Sequence, residues 1–154
     1  MSEAFNMLMK DEGIEYHLYK CTQGYWTIGI GHMISRDKQT AERFLNEKFG
    51  KCVISKEQAI QLFKQDYNHA VLGAQSIVRL DTYRELALSN MVFQMGLGGV
   101  LKFKKMIAAL KIQDWNEAYK QALDSTWYKQ TPNRAKRVAE VLRDGKQAYV
   151  KHYS

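Results

Sequence analysis

A chain of 154 residues with 45% hydrophobic content is long enough to bury one good core, or two small lobes sharing a helix, which excludes a disordered chain. Its 23 basic and 16 acidic residues leave a net charge of +7, so an anionic partner is implied, and nucleic acid or bacterial envelope would serve. Two cysteines, Cys21 and Cys52, are too few for a disulfide framework and read as free thiols, and His17, His32, His69 and His152 lack metal-ligand spacing, so no metal or cofactor is expected. The N-terminus carries no basic segment followed by an apolar core, and no apolar run is long enough to span a bilayer. Neither secretion nor stable membrane insertion is expected.

The first predicted element is a helix over SEAFNMLMKDE, with apolar positions at Phe5, Leu8 and Met9, Ser2 as its N-cap and Gly13 as its breaker. From Tyr16 to Ile34 the chain turns rich in aromatic and β-branched residues punctuated by Gly24, Gly29 and Gly31, which predicts two or three short antiparallel strands. Ser55 and Gln58 then stand in capping-box positions before SKEQAIQLFKQDYNHAVLGA, the longest helix candidate. About twenty helical residues span roughly 30 Å, enough to connect two lobes. Further helices are expected over 82–95, 101–111, 114–124 and 132–143, with MGLGG as a corner, Asp114 and Glu117 as a second capping box, and Thr131 capping a helix that opens on Pro132. The predicted architecture is α+β and predominantly helical: a small sheet-bearing lobe over 13–54, a connecting helix over 55–74, and a helical lobe over 75–154 that also takes in 1–12. A cleft between lobes is the natural ligand site.

Chemistry concentrates near the start. Glu12 closes the first helix, and Cys21 and Thr27 follow on the strands after eight and five intervening residues. Hydrolysis of a glycosidic bond needs a carboxylic acid to protonate the leaving oxygen and a second group to activate water or attack the anomeric carbon. Glu12 suits the first role, since a helix C-terminus and a desolvating cleft both favour its protonated form. Thr27 could orient a water. A thiol at Cys21 is a weaker base than a carboxylate and becomes nucleophilic only as thiolate.

This spacing, followed by Gly-Ile-Gly-His at Gly29 to His32, resembles the catalytic signature of the T-even type phage lysozymes, the endolysin muramidases of glycoside hydrolase family 24. NMVFQMG at Asn90 to Gly96 and WYKQTPNRAKRV at Trp127 to Val138 are similar to that family's strings too, so the likeness runs nearly the whole chain, with shortening around 35–52 and 74–85. The resemblance implies a lysozyme-like two-lobed fold. It implies that Glu12 is the general acid, that Cys21 holds the position of the second catalytic residue, and that Thr27 helps hold the attacking water. Arg134 would pair with the catalytic glutamate and close the helical lobe against it, which would favour the ionised carboxylate and oppose the helix-end effect. Met33 and Phe93 would line the sugar groove, Met106 and Gln121 would fall at further substrate contacts, and His32 and Asp66 would form a structural ion pair between sheet and long helix.

For Cys21 three roles stay open: base when ionised, nucleophile giving retention, or polar spacer that leaves Thr27 to place the water. Water positioning is the preferred reading. The implied activity is hydrolysis of the β-1,4 bond between N-acetylmuramic acid and N-acetylglucosamine in peptidoglycan glycan strands, by a monomer that lyses the host at the end of phage infection. Such an enzyme would accumulate in the host bacterial cytoplasm and reach the cell wall through a separate holin-type pore. The alternative, a non-catalytic basic helical module binding nucleic acid, is permitted by charge alone, but the basic residues are spread rather than clustered. A zinc amidase lacks the ligand spacing.

Overall fold

A computed structural model of the chain describes residues 2–154. By contact density it divides into a first unit ending at Asp66 and a second, Tyr67–Ser154. The first opens with helix α1, Ser2–Glu12, which buries Ala4, Met7 and Leu8 along one face. The helix includes Ser2 rather than starting after it, so Ser2 is not its cap. Gly13 stops it as expected: at φ 72° it takes the left-handed conformation and its N–H donates to the Met9 carbonyl at 2.9 Å.

Three strands follow, β1 (Glu15–Lys20), β2 (Trp26–Gly29) and β3 (His32–Ser35), in an antiparallel sheet of order β1-β2-β3. Tyr19 pairs with Thr27, and Thr27 with Met33, so these three stand in one row across the sheet. Directly opposed residues point to the same face, so one row serves one surface. The outer edge of β1 is tied down where Ile54 N–H donates to the Tyr16 carbonyl at 3.0 Å. The core beneath the sheet consists of Ile28, Leu45, Ile54, Ala59 and Leu62, with Ile14, Leu18, Ile34, Phe44, Phe49 and Cys52 packed against it.

Leu45 comes from a helix that periodicity did not reveal, α2 (Lys38–Phe49). Its ends explain it. Asp37 caps it, accepting from the Thr40 N–H at 2.9 Å and the Thr40 hydroxyl at 2.6 Å, and Gly50 closes it at φ 80°. Helix α3 (Lys56–Ile77) has the expected reciprocal cap: Ser55 N–H to Gln58 Oε1 at 2.9 Å, Gln58 N–H to Ser55 Oγ at 3.1 Å. Helix α1 falls in the first unit, where Phe5 packs edge-on against Phe63 of α3 with ring centroids 5.7 Å apart.

The second unit is helical. Helix α4 (Thr82–Leu101) runs through the expected corner, which narrows to a single non-helical residue, Gly96 at φ 79° and ψ 163°. It is followed by α5 (Lys104–Lys111), α6 (Trp115–Leu123), α7 (Thr126–Gln130), α8 (Pro132–Asp144) and α9 (Lys146–Tyr153), of which α7 and α9 were not anticipated. Helix α8 is the hub, packing against α4, α6, α7 and α9. Its predicted cap is corrected: the Thr131 hydroxyl donates back to the Trp127 carbonyl at 3.2 Å and makes no cap bond. Among the described residues no single helix is long and apolar enough to cross a membrane.

Candidate active site

The geometry of the first unit gathers Glu12, Tyr19, Cys21, Thr27 and Gly31. Glu12 is the last residue of α1, partly exposed, and its carboxyl lies against the turn between β2 and β3: a Cβ placed on Gly31 would sit 2.9 Å from Glu12 Cδ and 3.0 Å from Oε1. Thr27 is buried in the middle strand, at 1% exposure, yet its row carries Met33 at 40% exposure, so this face of the sheet reaches solvent at its β3 edge.

Cys21 opens the hairpin loop between β1 and β2. Its N–H donates to the Tyr25 carbonyl at 2.8 Å, its carbonyl accepts from Gly24 N–H at 2.9 Å, and Gly24 at φ 85° completes the reversal. Desolvation pushes the thiol pKa up, but bonds from the Tyr25 amide, the Thr27 hydroxyl and the Gln23 and Gly24 amides outweigh it and hold the thiol below its ordinary range. The Thr27 oxygen also lies 2.9 Å from the Tyr25 carbonyl. One hydroxyl proton serves one of these acceptors at a time, and the oxygen keeps lone pairs for a water.

Tyr19 is the residue that sequence reasoning missed. Burial raises its pKa first, and the negative charges of Glu12, Cys21 and Glu15 raise it further, so its phenol lies within electrostatic reach of both candidate catalytic groups. The available signal was strand pairing with Thr27, which no local spacing displays. His32 Nδ1 and Asp66 Oδ2 meet at 2.6 Å between β3 and α3, and the imidazole stacks on Phe44 of α2 at 5.9 Å.

The other expected residues belong to the second unit. Phe93 is half-buried on α4, and Gln121 on α6 donates its amide to Glu117 Oε1 at 2.9 Å. Met106 departs from expectation. With no exposed surface it is a core side chain of α5, because an unbranched apolar residue on that helix gains more by packing with Ala109 and Leu110 than by facing water. Arg134 is 8% exposed, and its Nε and Nη2 both donate to the Asn90 Oδ1, at 3.2 and 2.9 Å. Among the described residues no three His, Cys, Asp or Glu side chains converge to hold a metal ion.

The phage lysozyme family model matches residues 9–147, which include every residue of this site. The chain belongs to that family. As a phage lysozyme it is a glycoside hydrolase of peptidoglycan, which sets aside the non-catalytic module. It is 38% identical to a protein of Dictyostelium discoideum named probable T4-type lysozyme 1, over 94% of this chain and 96% of that one. It is 39% identical to the pre-baseplate central spike protein Gp5 of Enterobacteria phage T4, over 90% of this chain but 27% of that protein. It is 30% identical to the peptidoglycan hydrolase gp36 of Pseudomonas phage phiKMV, over 83% of this chain and 14% of that protein. The lysozyme segment thus stands nearly alone in one relative and inside much longer chains in the others.

Proposed function

We propose that this lysozyme cleaves the β-1,4 bond between N-acetylmuramic acid and N-acetylglucosamine, with Glu12 as the acid that protonates the leaving oxygen and Cys21 and Thr27 holding the water that attacks the anomeric carbon. The observation that carries the reading is geometric: the Glu12 carboxyl rests against Gly31 in the β2–β3 turn, and Thr27 stands on β2 in one row with Tyr19 and Met33. A proton donor and an anion-stabilising turn therefore flank one sheet face. That is the division of labour an inverting mechanism requires, with an acid on one side of the bond and water on the other.

The sulfur replaces a carboxylate in a place that suits either. Amides of a tight turn want an anionic acceptor, and a thiolate answers them as a carboxylate would. Polarised toward its anionic form, Cys21 accepts a hydrogen bond from the water and Thr27 fixes the water's second contact. Met33, at the exposed edge of the same row, offers apolar surface to a sugar ring. His32 and Asp66 brace β3 against α3.

In its biological setting the enzyme acts as a monomeric endolysin, made in the host cytoplasm and admitted to the wall by a separate holin-type pore, with no need of nucleic acid. The +7 charge favours the anionic wall. The decisive assay adds wild type and Glu12→Gln to isolated peptidoglycan in the presence of a chelator and counts new reducing ends. Wild type should release them, and Glu12→Gln should be slower by at least about a hundredfold, the scale of a lost general acid. Equal rates from both proteins would overturn the assignment.

A further inference from the structure

Gly29 and Gly31 flank Ile30 in the turn from β2 to β3, and both adopt left-handed backbone, at φ 69° and 68°. That conformation alone accounts for glycine at each position. Their surroundings differ. A Cβ on Gly29 would meet Ala59 and Ile54 at 3.6 Å, ordinary van der Waals contact. A Cβ on Gly31 would come within 2.9 Å of the Glu12 Cδ, 3.0 Å of its Oε1 and 3.2 Å of its Cγ, closer than real Cβ atoms come to a neighbour at the first of these. The obstructing atoms are the end of a flexible side chain, so the carboxyl rather than the backbone would give way.

We propose that Gly31 is a positioning residue for the reaction: the absence of a side chain there creates the seat in which the Glu12 carboxyl rests. The proposal rests on the reading of Glu12 as the acid. A general acid must hold its proton within hydrogen-bonding reach of the leaving oxygen, and displacement by about 1 Å is enough to cost on the order of a hundredfold in rate. The glycine therefore serves two ends at once. Its backbone turns the chain, and its missing Cβ leaves the carboxyl its place.

The two glycines make a matched experiment. Gly29→Ala and Gly31→Ala impose the same backbone strain, so both should lower the melting temperature alike, while only Gly31→Ala displaces the acid. On soluble glycan oligomers Gly31→Ala should lose about a hundredfold in kcat with KM little changed, and Gly29→Ala should stay within about threefold of wild type. Glu12→Asp withdraws the carboxyl by one methylene, so its penalty should be smaller in the Gly31→Ala background than in wild type. A Gly31→Ala enzyme as active as Gly29→Ala, or penalties that simply multiply, would overturn the proposal. If Gly31→Ala fails to fold where Gly29→Ala folds, recovery of the fold in Gly31→Ala/Glu12→Ala supports the contact, and failure of that double variant to fold overturns it. An active Glu12→Gln enzyme sinks the acid assignment itself; an inactive Glu12→Gln beside a fully active Gly31→Ala sinks only the seat.

Discussion

The two units use polar groups in opposite ways. In the first, Glu12, Cys21 and Tyr19 are partly exposed and stand around turns whose glycines, Gly13, Gly24 and Gly31, hold left-handed backbone; turn amides and the Thr27 hydroxyl hold the Cys21 thiol below its ordinary range, while burial and then nearby negative charge raise the Tyr19 phenol. In the second, polar groups lie inside. Arg134 is fastened to a fully buried Asn90, Trp127 Nε1 donates to Gln94 Oε1 at 2.8 Å, and the Tyr67 phenol is pushed up to about 12, chiefly by burial. A buried, bonded group resists change because removing its partner leaves a desolvated charge or dipole, whereas a half-exposed group beside a glycine turn is free to exchange protons. Under the proposed mechanism the groups that handle protons fall in the first unit.

The contrast also separates what variants should do. Beyond Glu12→Gln, the sharpest test in the first unit is Cys21→Ala, which removes the sulfur that the turn amides address. Turnover on peptidoglycan should fall by about a hundredfold, the usual worth of one positioned acid or base. The melting temperature should move by only a degree or two, since the thiol is a partly exposed group at a loop. A thiol reagent that modifies Cys21 completely and leaves turnover intact would break the assignment of chemistry to this unit.

The second unit should answer with stability instead. Asn90→Ala takes from the Arg134 guanidinium an acceptor that two of its nitrogens share, inside the core. Hydrogen bonds to a buried charge are worth roughly 1.5–3 kcal/mol, which for a chain of this size lowers the melting temperature by about 4–10 °C. Turnover per folded molecule should change far less than for Cys21→Ala. Trp127→Phe is milder. It keeps an aromatic ring beside Phe103, which Trp127 meets edge-on at 6.0 Å, but gives up the indole's second ring together with the bond to Gln94, so a loss of about 1–2 kcal/mol in denaturant unfolding is expected. If Asn90→Ala left stability unchanged and abolished turnover, the division between the units would fall.

How far the sequence discloses all this depends on the range over which each feature is decided. Glu12, Cys21 and Thr27 could be named as candidates because their spacing lies within one local run, and α3 was legible because its cap and its apolar stripe agree. Helix α2 buries only Ala41 and Leu45, so its periodicity is faint, and its evidence sits at Asp37 and Gly50, outside the helix. The five residues of α7 are too few to show a period. Tyr19 and Gly31 owe their places to strand register and to an approach between α1 and the β2–β3 turn, and contacts of that kind are fixed by folding rather than by spacing. Met106 shows the converse: position along the chain named it a substrate contact, while its apolar side chain is held in the core.

The smallest predicted effect follows from the hairpin's hold on Cys21. In the unfolded chain its thiol has the ordinary pKa of about 8.5, and in the folded chain the turn amides and Thr27 bring it lower. Between those two values the unfolded state binds more protons than the folded one, so stability rises with pH across that window and is lost as pH falls through the folded value. Wild type minus Cys21→Ser should show this as a slight upward slope in melting temperature, present at mildly alkaline pH and gone below the folded pKa. The same displacement has a kinetic face that is easier to read. Iodoacetamide attacks the thiolate, so alkylation of Cys21, followed by mass spectrometry of its peptide, should reach half its limiting rate at a lower pH for folded protein than for protein in denaturant. Coincident midpoints would mean that the turn does not stabilise the thiolate, and the first unit would then lose one of the two proton-exchanging groups that distinguish it from the second.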